Sequence, residues 1–152
     1  SFLIYYKDMI YFGADHRGFE LKKELKEYLM EKGYQTQDLG AFEYNKDDDY
    51  PDFVRQAAEA VAKDSENSRA IIFGGSGQGE AMVANRYKGV RAAVLYKFDK
   101  DIVKLSREHN NANILSIGAV FLSKPKAVKA VELWLDTPFS EEERHIRRIA
   151  KF

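Results

Sequence analysis

Short apolar runs alternate with segments of helical periodicity along this chain. Residues 9–13, 34–39, 70–73, 90–96 and 112–118 are brief apolar stretches bounded by glycine or polar clusters, and read as strands. Between the first two, Leu21, Leu25, Tyr28 and Leu29 stand at i, i+4, i+7 and i+8, one stripe of a helix over 18–32. Gly33 follows as a helix-ending glycine. Pro51 can open the next helix at its first position, with Phe53, Ala57, Ala60 and Val61 as its stripe. Further helices are expected from the glycine-rich loop to about residue 87, over 97–109, over 124–135 and in the basic segment 141–151. Five β-α units in sequence predict a three-layer α/β/α, Rossmann-like fold around a five-stranded parallel sheet. Right-handed crossovers leave a few doubly wound topologies. Ligands of such sheets bind beyond the carboxyl ends of the strands, at a switch point. Three polar groups fall there: Asp15-His16, the glycine loop at 74–79, and Gly118-Ala119.

The glycine loop, Gly74-Gly75-Ser76-Gly77-Gln78-Gly79, leads straight into Glu80. Glycines between a strand and a helix expose backbone N–H groups to an anion. Two nucleotide patterns nearly match and fail. In a phosphate-binding P-loop, Glu80 and Ala81 would have to be Lys and Ser or Thr. In the dinucleotide fingerprint, read from Gly75, Glu80 stands where the last glycine belongs. The loop therefore suits a small anion with a carboxylate beside it.

Length and composition narrow the class. The 152 residues suit one domain, taken as residues 9–152, with residues 1–8 expected to be a tag remnant or an extended start before Met9. The formal net charge is zero, from 24 basic and 24 acidic residues, which makes no electrostatic case for nucleic acid or an anionic membrane. There is no cysteine, so disulfides, thiolate metal sites and a cysteine nucleophile are excluded. No apolar run reaches the roughly 18–20 residues of a membrane span. The first residues make a poor signal peptide, and a cytoplasmic location is expected. His16, His109 and His145 lie far apart in sequence without metal-ligand spacing, so no metal site is expected.

Each candidate group admits two readings from spacing alone. Asp15 and His16 are a ligand-binding pair or a helix cap with a solvated neighbour. Glu80 is a general base or, with Gly77 as N-cap, a glutamate favoured by the helix dipole. His109 aligns with Phe98, Ile102 and Leu105, and so is a core residue or, ahead of Asn110-Asn111, an exposed polar site. Arg144 and Arg148 share a helix face that suits phosphate, or pair with Glu141, Glu142 and Glu143.

Six segments in order carry a resemblance over residues 9–152: Asp15-His16-Arg17-Gly18-Phe19-Glu20-Leu21-Lys22, Asp49-Tyr50-Pro51-Asp52, the loop through Glu80, Ala84-Asn85-Arg86, Arg107-Glu108-His109-Asn110-Asn111-Ala112-Asn113, and Arg144-His145 with Arg148. Together they resemble the RpiB/LacAB sugar-phosphate isomerase family. The resemblance implies aldose–ketose isomerisation through an enediol(ate) without metal or cofactor, most simply ribose 5-phosphate to ribulose 5-phosphate. A hexose 6-phosphate of the galactose or allose type, or a non-catalytic sugar-phosphate-binding homologue, is the alternative. By resemblance, His109 assists ring opening with Asp15 near the ring oxygen. The backbone from Gly75 through Gly77, Gln78 and Gly79 forms the oxyanion hole, and Ser76 and Asn110 orient hydroxyls. His16, Arg144 and Arg148 hold the phosphate, and Tyr50 lines the site. Many members use a cysteine that opens the glycine loop; this chain has Gly74 there and matches the group with a glutamate after the last glycine, which implies Glu80 as the proton-transfer base. One departure is plain: where members usually carry arginine after Gly-Ala or Gly-Ser, this chain has Val120, with Arg17 as a conceivable substitute. The resemblance also implies a homodimer or homotetramer, with active sites at the subunit interface.

Overall fold

A computed structural model describes residues 8–152, so the expectation for the first residues lies, up to residue 7, outside the described part. Eleven elements alternate as expected: β1 Met9–Ala14, α1 Phe19–Glu31, β2 Gln35–Asp38, α2 Tyr50–Lys63, β3 Ser68–Gly74, α3 Gln78–Ala84, β4 Ala92–Leu95, α4 Lys100–Glu108, β5 Ile114–Gly118, α5 Lys124–Asp136 and α6 Glu143–Ile149. All pairings are parallel, in the order β2-β1-β3-β5-β4. The chain steps outward from β1 to β2, then returns to the other side of β1 with β3. The switch point therefore lies between the carboxyl ends of β1 and β3.

Alternation along the strands splits the core in two. Phe12, Ile71, Phe73, Leu115 and Ile117 face one side, where Leu25 and Leu29 of α1, Val103 of α4, and Val131 and Trp134 of α5 cover them. Ala70, Ile72 and Ile114 face the other, under Val54, Ala57, Ala58 and Val61 of α2 and Ala84 of α3. The central strands are buried on both faces, as parallel strands between helices must be. Among the described residues no helix is long and apolar enough to cross a membrane.

Local signals worked as physics predicts. Gly33 closes α1 at φ 93°, Pro51 sits in the first turn of α2, and Gly77 is the N-cap of α3. Three expectations need correction. Of the expected α2 stripe Ala57 and Val61 are buried, but Val54 and Ala58 complete the buried face, and Phe53 and Ala60 are only half-buried. The third helix ends at Ala84, because Asn85 turns away to bond Ala92 at the start of β4, its Nδ2 donating to the carbonyl and its Oδ1 accepting from the amide. On α4 the buried face is Val103, Ser106 and Arg107, so the stripe read as a possible core, Ile102 and Leu105 at 55% and 42% exposed, lies at the surface.

One buried cation escaped the periodicity. Lys22, 2% exposed, donates from Nζ to Asp38 Oδ1 at 2.8 Å and to the Ala41 carbonyl at 2.6 Å. Burial pulls its pKa down from the usual lysine value against the opposing pull of Asp38. The pair pins the end of β2 and the start of the loop that leads to Asp48.

Candidate active site

A cavity of about 990 Å³ opens at the switch point. Asp15 and His16 from the end of β1, Tyr50 from the start of α2, and Gly75, Ser76 and Glu80 from the glycine loop and α3 line it together. Sequence-distant groups meet here because three β-α turns share one edge of the sheet.

Asp15 is buried and accepts from the backbone N–H of Arg17 at 2.9 Å and of Gly18 at 3.3 Å. Desolvation by burial outweighs those bonds and the nearby imidazole of His16, and the carboxyl is pushed above its ordinary range. His16 is held from the opposite direction. Its Nδ1 lies 2.6 Å from Asp48 Oδ1, and its backbone N–H donates to the same oxygen at 3.1 Å. An ionised carboxylate can only accept, so the proton sits on Nδ1 and Nε2 is left free. Asp48 lines the cavity and is not among the expected site residues; its only signal along the chain is the acidic run at 47–49. Its Oδ2 is buried with no partner among the described residues. Asp15, His16 and Asp48 also form a group whose ligand atoms lie within 4.8 Å of one another, close enough to share a cation. The short His16–Asp48 bond already accounts for that arrangement.

The loop is built around two close approaches. Gly77 takes φ +78°, a left-handed conformation that side chains rarely adopt, and a Cβ there would press on the Ser116 carbonyl. At Gly74, a Cβ would overlap the carboxylate of Glu80. The glutamate thus fills the space a side chain at position 74 would take, which is the cysteine position in the resemblance described above. Glu80 is only 4% exposed. Burial raises its pKa above the ordinary carboxylate range; the bond to its own backbone N–H opposes this, and the Asp15 charge adds to it. The first turn of α3 leaves N–H groups without helical acceptors, and Gln78 N–H turns back to Ser76 Oγ at 3.3 Å. Tyr50 lays its hydroxyl against Gly79, in the space a side chain there would need.

Five expected site residues do not line this cavity: Gly77 is buried beneath the loop, and four others lie elsewhere. His109, at the C-terminal cap of α4, stacks on His145 of α6 with ring centroids 4.2 Å apart. His145 is buried, its pKa lowered by desolvation and then by the neighbouring His109, and its Nε2 makes no hydrogen bond among the described residues, with the Glu142 carboxylate 3.7 Å away. Arg144 is exposed and donates to Glu142 at 2.9 Å; Arg148 is exposed on the same helix. Asn110 lines a separate cavity of about 410 Å³ with Arg91 and Phe152. One chain therefore assembles the loop, Asp15, His16, Ser76, Tyr50 and Glu80, and leaves the second histidine, asparagine and arginine group on another surface.

A buried base above a glycine loop, beside a carboxyl and an imidazole, is suited to moving protons on a small polar anion. The chain is also similar to known proteins. The Ribose/Galactose Isomerase family matches residues 10–152. The chain belongs to this family. Ribose-5-phosphate isomerase B of Mycobacterium leprae is 42% identical over 140 residues, 92% of this chain and 85% of that protein. The Escherichia coli enzyme of the same name is 36% identical over 92% of this chain and 91% of its own length. Ribose-5-phosphate isomerase B of Mycoplasma genitalium, solved with bound ribulose-5-phosphate, superposes with a TM-score of 0.89 at 37% identity, covering 94% of this chain and 92% of that one.

Proposed function

We propose that this member of the isomerase family interconverts ribose 5-phosphate and ribulose 5-phosphate through an enediol(ate). The observation that carries the reading is Glu80: a buried carboxylate with a raised pKa, seated in the place of a side chain at Gly74, beside a loop with N–H groups to offer. In the open-chain aldose, Glu80 takes the C2 proton, and the electron pair moves through C1 to its oxygen. Backbone N–H groups from Gly75 to Gly79 receive that developing charge, a contribution of about 3–4 kcal/mol per well-placed donor. The protonated Glu80 then returns the proton to C1 as the O2 hydrogen passes to O1. A base with a pKa lifted toward the working pH abstracts a carbon-bound proton better than an ordinary carboxylate. Asp15 stands near the ring oxygen during opening, Ser76 and Tyr50 contact sugar hydroxyls, and Nε2 of His16, held in place through the Nδ1 bond to Asp48, faces the phosphate and donates to it when the ring carries both protons.

The remaining machinery comes from a second copy. His109 of that copy opens the ring, its Asn110 orients a hydroxyl, and its Arg144 and Arg148 clamp the phosphate. Support lies in the surface apolar stripe of Ile102 and Leu105 beside His109, and in exposed Val120 and Phe121 at the cavity rim. Such patches mark interfaces. A homodimer, or a tetramer of such dimers, working in the cytoplasm on a phosphorylated sugar fits these features. Incubation with ribose 5-phosphate followed by NMR should show ribulose 5-phosphate. Galactose and allose 6-phosphates run beside it name the preferred sugar, and binding without conversion across the panel overturns the reading.

A further inference from the structure

The cavity has an excess of carboxylates. Asp15, Asp48, Asp49, Asp52 and Glu80 line it, against the guanidiniums of Arg17 and Arg55 and the imidazole of His16. A phosphate dianion entering this space needs a cation that is not already engaged. His16 is bonded to Asp48. Arg55, on α2, is exposed and makes no hydrogen bond or ion pair among the described residues, and its charge acts on Tyr87. Arg17 differs in where it stands. Its side chain has no hydrogen-bond or ion-pair partner among the described residues, and it is exposed. Its guanidinium lies over the glycine loop: a Cβ built on Gly75 would stand 3.4 Å from its Cζ and 3.5 Å from its Nε.

The same glycine is held from the other side by position 120. The N–H of Val120 donates to the Gly75 carbonyl at 3.2 Å, and that of Ala119 to Gly74 at 2.8 Å. Val120 is exposed and lines the cavity, yet offers only methyl groups. Arg17 and Val120 thus bracket one loop residue from two different strand ends.

We propose that Arg17 is the phosphate-binding guanidinium that this chain contributes to its own cavity, supplied from the β1 turn, with position 120 facing the same phosphate. This rests on the isomerase reading above. A planar guanidinium presents paired donors to phosphate oxygens, and its loop is pinned by the bonds from Arg17 and Gly18 N–H to Asp15.

The test compares wild type with Arg17→Ala, Arg55→Ala and the double variant Arg17→Ala/Val120→Arg, after thermal melts show that each folds. Loss of a charged hydrogen-bonding partner should raise KM for ribose 5-phosphate about 10- to 100-fold in Arg17→Ala, with the smaller effect on kcat. The inhibition constant of inorganic phosphate should rise in parallel, and the double variant should recover much of both. Unchanged KM and phosphate inhibition in Arg17→Ala overturn the proposal, as does an equal effect of Arg55→Ala, which would mean general charge rather than a specific contact. Failure of the double variant to recover overturns the shared position. If wild type converts no sugar phosphate, the isomerase reading fails separately. Titration of inorganic phosphate into wild type and Arg17→Ala, followed by calorimetry, then decides the proposal: weaker binding in the variant supports it, and equal binding overturns it.

Discussion

The switch-point cavity and the α4–α6 surface carry similar chemistry, but pair it to different degrees within one chain: in the cavity Asp48 Oδ2 and Arg17 are left over. In the cavity, Asp15 is satisfied by its own turn, His16 by Asp48, and Glu80 by a niche shaped to its carboxylate. On α4 and α6, His145 keeps a buried nitrogen without a hydrogen bond, Arg148 reaches solvent, and Ile102 and Leu105 are exposed. A surface with unspent polar and apolar groups side by side is what one half of an interface looks like before its partner arrives. The proposed proton transfer rests on the first region, and the proposed dimer on the second.

The strongest way to break that contrast is Glu80→Gln, which should lower kcat by about 10²–10⁴-fold while leaving the fold intact. Near-normal turnover would remove Glu80 from the mechanism. Gly74→Ala tests the same niche without touching the base. Its methyl group must displace the Glu80 carboxylate, and a base moved by about 1 Å costs on the order of 10²-fold in kcat. If that variant keeps full activity, the niche does not position the base.

Mixing sharpens the other side of the contrast. Glu80→Gln and His109→Ala should each be poorly active alone. Refolded together at equal amounts, random C2 pairing restores one complete site in half of the dimers, about a quarter of wild-type sites. No recovery would mean that His109 serves the cavity of its own chain, or serves none.

The smallest effect is on stability. The Glu80 carboxyl has a higher pKa folded than unfolded, so it favours folding while protonated, below its unfolded value of about 4.3, and that contribution is lost as pH rises through the folded value. Glu80→Gln should therefore melt higher than wild type at pH 7–8, by about 2–4 °C per kcal/mol recovered, with the gap closing toward about pH 4. In wild type, kcat/KM should fall on the acid side with an apparent pKa above that of an ordinary glutamate. An acid limb at the ordinary value would mean that the desolvated carboxylate is not the titrating base.

Much of this was legible along the chain, and particular residues show why the rest was not. Strand-helix alternation, the stop at Gly33 and the N-cap at Gly77 are local, set by the period of apolar residues and by backbone geometry, and they emerged in place. Half of the α2 stripe lies off the expected face because Ala57, Ala58, Ala60 and Val61 offer two nearly equivalent faces, and only contact with Ile72 and Ala84 selects one. Nothing in the spacing of Lys22 signals burial; Asp38 and the Ala41 carbonyl close over it only in the fold.

The sequence by itself determined the strand-helix alternation that underlies the layered sheet, the glycine loop with a carboxylate at its end, the absence of a thiol, and the motifs of an isomerase family. These depend on residue type and spacing, which short-range sterics translate directly. Only the tertiary structure decided the sheet order, that Glu80 is buried enough for desolvation to outweigh the first turn of α3, that Asp48 holds His16, and that His109 with Arg144 and Arg148 lies on a different surface from the loop they were expected to serve. Each of these is a balance between burial and pairing. The terms of that balance come from residues far apart in the chain, so no local reading contains them.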